Sequence, residues 1–180
     1  MAIGATIHTF DAELSDTDRG VYESLSLRAA RHPSETDAYL VTRVLAYLLE
    51  YEAGIDFAAG GISSTDEPAV LTRDLTGQIT RWIEVGAPDA ERLHYASKLA
   101  ENVAVYTHRD VQKLLPGWGG KTIHRADQIV VRAFDPGFID ETAGLLQRRN
   151  SLSCSLVEGQ LYLELNGSSL SSAVHEHRIA

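Results

Sequence analysis

The sequence predicts an α/β fold: a mixed central β-sheet with flanking helices, in one domain spanning residues 1–180. Three observations lead there. Segments of period-two hydrophobicity alternate with segments of helical periodicity along the chain. Turn chemistry separates several neighbouring strands by only a few residues. The length, 180 residues and 19.7 kDa, suits one closed core.

Thr6 to Leu14 places His8, Phe10, Ala12 and Leu14 on one face of a strand. Ser15-Asp16-Thr17-Asp18-Arg19-Gly20 is turn chemistry, and Val21 to Ala29 returns antiparallel with Val21, Leu25, Leu27 and Ala29 on one face. Ser34 with Asp37 resembles a capping box, with Asp in place of the usual Glu or Gln. Behind it Tyr39, Leu40, Val44, Leu45, Leu48 and Leu49 recur at helical spacing, which predicts a helix over about Glu35 to Ala53.

Ile55 to Ala59 reads as a short strand. Ala69–Asp74 and Gln78–Val85 form a hairpin around Asp74-Leu75-Thr76-Gly77. Pro88-Asp89 opens a helix to about Glu101, since both residues suit a first turn. Asn102 to Thr107 is a strand of buried type, Asp110 to Leu115 a short helix, Gln128 to Phe134 a strand and Pro136 to Arg148 a helix. Ser151–Val157 and Gln160–Leu165 alternate around Glu158-Gly159, a hairpin signal. The expected order is ββ-α-βββ-α-β-α-β-α-βββ, with extra antiparallel strands at both termini of the central sheet.

Bulk properties narrow the function classes. Hydrophobic residues make up 44% and charged residues 23%, ordinary values for a globular protein. No apolar run approaches the roughly 20 residues that cross a bilayer. Met1-Ala2-Ile3-Gly4-Ala5 lacks the start of a signal peptide, and Cys154 is the only cysteine, so no internal disulfide or cysteine-based zinc site is expected. A cytoplasmic protein with no membrane partner is the expectation. The net charge of −9 disfavours nucleic acid as a partner, because non-specific binding runs on Lys and Arg against phosphate. The oligomeric state has no signal in the sequence.

The chemistry concentrates between Asp66 and Lys98. Asp66-Glu67-Pro68 stands at the foot of one strand, Glu84 lies near the end of the next, and a polar helix follows. That is the order of a metal-dependent phosphodiesterase site of the PD-(D/E)XK type. Such a site needs carboxylates converging on a hard cation, Mg²⁺ or Mn²⁺, and a positive group to offset developing charge. The candidate metal ligands are Asp66, Glu67 and Glu84; the candidate catalytic residues are Glu67, Glu84 and Lys98. The plainer alternative is a solvated turn at Asp66-Glu67-Pro68 and a paired surface acid at Glu84. The lysine of the motif, two residues after the strand acid, is Gly86 here. Lys98 shares the outer face of its helix with Glu91 and Tyr95 and could reach the Glu84 strand end, although an exposed helix lysine is the commoner case. Arg31, His32 and Glu35 cluster at a helix start, where backbone N–H groups bind anions; a well-capped helix is the plainer alternative.

Other motifs fail. Gly120-Lys121-Thr122 lacks the first glycine of a phosphate loop, where Leu115 stands. His175-Glu176-His177 offers only two imidazoles, and no Gly-x-Ser-x-Gly elbow exists.

At Arg31-His32-Pro33-Ser34-Glu35-Thr36, Asp66-Glu67-Pro68, Trp82-Ile83-Glu84-Val85-Gly86-Ala87-Pro88 and Arg92 the sequence resembles the YaeQ family of bacterial proteins, in order from Ala5 to roughly Gly167. The resemblance implies a compact variation on the PD-(D/E)XK nuclease fold in a bacterial cytoplasmic protein. It implies site positions at Asp66, Glu67 and Glu84, with Glu35 as the helix-start acid and Arg31, Ser34, Arg92 and Tyr95 as binding residues. The family pattern usually has a lysine near Tyr95; here His94-Tyr95-Ala96 stands instead, with Lys98 one turn on. Two function classes follow: a Mg²⁺- or Mn²⁺-dependent nuclease or related phosphodiesterase, and a non-catalytic nucleic-acid- or protein-binding module on a nuclease scaffold.

Overall fold

The structure, a computed structural model, describes residues 4–58 and 67–179. The elements follow the expected order: β1 Thr6–Asp16, β2 Val21–Arg31, α1 Asp37–Leu49, β3 Ile55–Phe57, β4 Val70–Arg73, β5 Ile79–Val85, α2 Ala90–Leu99, β6 Asn102–Thr107, α3 Val111–Trp118, β7 Val130–Phe134, α4 Phe138–Ala143, β8 Arg149–Val157, β9 Gln160–Leu165 and β10 Ser168–Arg178. The chain divides into two compact units. One comprises Met1–Tyr51 with Phe134–His175, the other Glu52–Ala133 with Glu176–Ala180.

In the first unit the strands lie in the order β2-β1-β8-β9-β10. All pairs are antiparallel except β1 with β8, which is parallel over Thr9–Asp16 and Arg149–Leu156. The two terminal groups of strands thus join each other. The sequence could not announce this pairing, because it links residues about 140 apart. The inner face carries Phe10, Ala12, Leu14, Leu27, Ala29, Leu152, Cys154, Leu161, Leu163 and Leu165, all buried. Burial and a nearby Asp16 carboxylate push the Cys154 thiol up to about 12, so it is an inert core residue. Helix α1 buries Leu40, Val41, Val44, Leu45, Leu48 and Leu49 and packs against α4 and β2.

The start of α1 differs from expectation. Thr36, not Ser34, is the N-cap: it is extended, and its Oγ1 accepts the Tyr39 N–H at 3.1 Å. Pro33 and Ser34 form a turn closed by the Glu35 N–H on the His32 carbonyl at 2.9 Å, and Ser34 Oγ meets His32 Nδ1 at 2.7 Å. The turn delays the helix by two residues, and α1 stops at Leu49 rather than Ala53. Helix α4 is likewise shorter than predicted, because β8 begins at Arg149 after a non-helical stretch.

In the second unit the order is β7-β6-β5-β4-β3. β3, β4 and β5 form an antiparallel meander; β6 and β7 run parallel to β5. The expected β4–β5 hairpin is present: Val70 faces Ile83 and Leu71 faces Trp82. Its turn is closed by Asp74 Oδ1, which accepts the N–H groups of Thr76 and Gln78 at 2.9 and 3.0 Å. Helix α2 crosses over from β5 to β6, as a parallel pair requires. Trp82, Leu93, Ala96, Ala100, Val103, Val105, Trp118, Ile123, Ile129 and Val131 make one buried cluster there. Among the described residues no helix is long and apolar enough to cross a membrane.

The β8–β9 turn has Glu158 at φ 49° and Gly159 at φ 75°, a primed hairpin turn. Two glycines therefore make a test of the backbone account. Gly159→Ala meets no atom within 4 Å but must adopt a left-handed conformation, so it is expected to destabilise by about 1–2 kcal/mol. Gly117→Ala, in α3 with equally open space and no positive φ, is expected to stabilise by up to about 1 kcal/mol. Urea unfolding of both variants measures the contrast; equal effects would contradict it.

Candidate functional site

In the second unit, the end of β5, the entry to β4 and the first turn of α2 meet at one guanidinium. The last four residues of β5, Trp82, Ile83, Glu84 and Val85, are all buried, so the strand is covered on both faces. Trp82 and Glu84 share one of them, two residues apart. Gly86 then turns the chain at φ 95°, its N–H held by the Tyr106 carbonyl at 2.9 Å. Asp89 caps α2 and accepts the Arg92 backbone N–H at 2.8 Å. A residue at this point of the first turn can extend its side chain back to the strand end.

Arg92 does so. Its Nε donates to Glu84 Oε1 at 2.5 Å, and its Nη2 donates to the Glu67 backbone carbonyl at 2.8 Å. Trp82 Nε1 donates to the same Glu84 oxygen at 2.7 Å. The guanidinium lies over the Trp82 indole, 5.8 Å from the ring centroid, and Tyr95 meets that ring edge-on at 5.9 Å. The Glu84 side chain is only 6% exposed. Burial pushes its carboxyl above the usual value; Arg92 and the Trp82 indole oppose that shift without cancelling it.

The structure brings together Glu84, Arg92 and Tyr95, with the Glu67 backbone. The Glu67 carboxylate lies 3.7 Å from Arg73 Nη2, a loose surface pair. Asp66 lies outside the described residues. Lys98 is on the exposed side of α2, six residues after Arg92. Helical geometry places it about 9 Å along the axis and about 120° around from Arg92.

The motif at the start of α1 belongs to the first unit and forms its own buried pair. Glu35 is 1% exposed; Arg43 Nη2 reaches its Oε2 at 3.0 Å and the Ala30 carbonyl at 3.0 Å. The His32 N–H donates to Glu35 Oε1 at 3.3 Å. Burial again raises the carboxyl against the pull of Arg43. Arg31 pairs with Asp37 at 3.4 Å, and Ser34 is held by His32. Sequence reasoning missed Arg43, eight residues beyond Glu35, and Trp82, although its place two residues before Glu84 was a usable signal.

A divalent cation needs several converging oxygen ligands. Among the described residues no three His, Cys, Asp or Glu side chains gather to hold one. Glu84 Oε1 already accepts from two donors, so these residues, as described, fit a guanidinium rather than a metal. His175 of the His-Glu-His run is engaged by Asp135, Nε2 to Oδ1 at 2.6 Å.

The Glu84–Arg92 pair generates a prediction with a defined sign. Glu84 has a folded-state pKa above 4.5, so its stabilising contribution is full below 4.5 and is lost as pH rises through the folded value. Arg92→Met leaves the carboxylate buried without its partner. It is expected to destabilise by about 3 kcal/mol at neutral pH. The deficit shrinks as pH falls toward 4.5, because protonation removes the unpaired charge. Urea unfolding of wild type and variant at pH 5 and pH 8 checks this; a pH-independent deficit would contradict it.

Comparison with known proteins identifies the family. The family model described as "YaeQ protein" matches residues 1–174. The chain is similar to "Uncharacterized protein YaeQ" of Escherichia coli strain K12, 37% identical over 108 residues; the match spans 60% of this chain and about three-fifths (59%) of that protein. The Salmonella typhi YaeQ protein is 28% identical over 166 residues, spanning 91% of this chain and 90% of that one. Among solved structures, the YaeQ protein from Pseudomonas syringae aligns with TM-score 0.85 at 28% identity, covering 96% of this chain and 95% of its own. The YaeQ protein from Xanthomonas axonopodis pv. citri aligns with TM-score 0.85 at 29% identity, covering 96% and 98%. With a family model matched across residues 1–174, this chain belongs to the YaeQ family.

Proposed function

We propose that this chain is a non-catalytic binding module built on a scaffold of the PD-(D/E)XK nuclease type. The scaffold reading is supported by the second unit's topology: an antiparallel meander, a crossover helix and a parallel strand. Glu67 stands at the entry to β4 and Glu84 lies inside β5. The non-catalytic reading rests on one observation. The charge opposite Glu84 is supplied from within the chain by Arg92, which also ties the backbone of Glu67. A carboxylate bound to a guanidinium and an indole N–H is held for structure, and the site presents a fixed surface rather than an open ligand set. The net charge of −9 favours a protein over nucleic acid as the partner of that surface.

A second reading, a Mg²⁺- or Mn²⁺-dependent phosphodiesterase, is favoured by the meeting of the two acid motifs at Arg92. It requires Arg92 to release Glu84. The assay that separates the readings offers single- and double-stranded DNA and RNA with each metal at low salt. The expected outcome is no cleavage and no metal binding by calorimetric titration. Metal-dependent cleavage that disappears in Glu84→Gln would overturn the binding-module reading.

A further inference from the structure

The outer face of the first unit's sheet has no role in the site above, and it is built from a narrow set of residues. Strand register aligns them in two rows. One runs Ser24–Glu13–Ser153–Glu164–Ser169 across β2, β1, β8, β9 and β10. The next runs Tyr22–Ser15–Ser155–Tyr162–Ser171 across the same strands. Across β8, β9 and β10 the face holds an open slot of about 430 Å³, lined by Ser153, Ser155, Tyr162, Glu164, Ser169 and Ser171 together with Leu163 and Leu170.

We propose that this slot is a binding site for a neutral oligosaccharide. Beside Leu163 and Leu170, the lining offers the groups of a polyol site: five hydroxyls that both donate and accept, one carboxylate that accepts strongly, and one aromatic ring. Tyr162, on the middle of the three strands, is 52% exposed, so its side chain is accessible to the apolar C–H face of a sugar. Tyr22, 60% exposed, stands in the same row. Three strand spacings separate the two rings, about 14 Å, so they form two stacking platforms along one line.

Charge excludes the competing ligands. No Lys or Arg lines the slot, and Glu164 lies in its middle, so a phosphate or other anion is repelled. A cationic peptide would need several open acids. Glu13 in the same row already accepts the Ser24 hydroxyl at 2.7 and 2.8 Å, and Asp11 accepts Ser26 at 3.4 Å. Of these acids only Glu164 lines the slot itself, set among hydroxyls, which matches a neutral ligand rich in O–H donors.

The test is affinity electrophoresis of the full chain in native gels containing soluble starch, a β-1,3-glucan or a galactomannan, with poly-lysine as a separate solution probe. Retardation by at least one polysaccharide is expected. Tyr162→Ala is expected to weaken it at least fivefold and Glu164→Gln about threefold, with unchanged thermal unfolding because both side chains are exposed. Lys113→Ala, at an exposed position of α3 in the other unit, should leave it unaltered. Three outcomes overturn the proposal: no retardation by any of the polysaccharides, equal retardation of Tyr162→Ala, or binding of poly-lysine without any glycan.

Discussion

The ion pair between Glu84 and Arg92 is the constraint on which the second unit's candidate site depends. A carboxylate taken out of water at the end of β5 is costly unless its charge is met and its lone pairs are used. Arg92 and the Trp82 indole meet both needs. The guanidinium geometry matters here, because one residue makes three different contacts. Nε serves the carboxylate, Nη2 serves the Glu67 carbonyl, and the planar face covers an indole. A lysine carries a point charge on a flexible stem and could not hold the entry to β4, the end of β5 and the start of α2 in one arrangement.

The first unit uses the same device independently. Glu35 is buried against Arg43, whose guanidinium also donates to the carbonyl of Ala30 near the end of β2. In both places a carboxyl is raised by burial while a neighbouring arginine pulls it down. Both arginines also bind a backbone carbonyl, so each pair fastens a helix to a strand or loop. This is how two acids prominent in the sequence become structural members, a use that acidity alone does not reveal.

Much of the fold was legible because the sequence states its local rules plainly. The β4–β5 hairpin and the Glu158-Gly159 turn are each written in adjacent residues, whereas Pro88-Asp89, read as a first turn, precedes α2, with Asp89 as its N-cap. The α1 start was misread because Ser34 and Thr36 are both competent caps, and the turn that favours Thr36 depends on Glu35 pointing into the core. The parallel pairing of β1 with β8 was invisible, since register between distant strands leaves no local pattern. At the site, Glu84 and Arg92 were both singled out, but their bond was not. Sequence spacing gives candidates for a metal ligand and for a salt bridge alike, and the reach of the Arg92 side chain back across the β5–α2 turn leaves no local pattern. Lys98, a candidate catalytic residue by sequence, lies on the outer face of α2, and the partner of Glu84 is Arg92.

The central claim is that Arg92 is the resident partner of Glu84. The most direct measurement follows the Trp82 indole N–H and the Arg92 Nε–H by ¹⁵N-correlated NMR while Mn²⁺ is added. The Trp118 indole, bonded to the Pro88 carbonyl at 2.7 Å, serves as the internal reference. The account predicts a slowly exchanging Arg92 Nε–H and no selective broadening of the Trp82 indole. Broadening of the Trp82 and Arg92 signals that spares Trp118 would place a metal ion at Glu84 and contradict it.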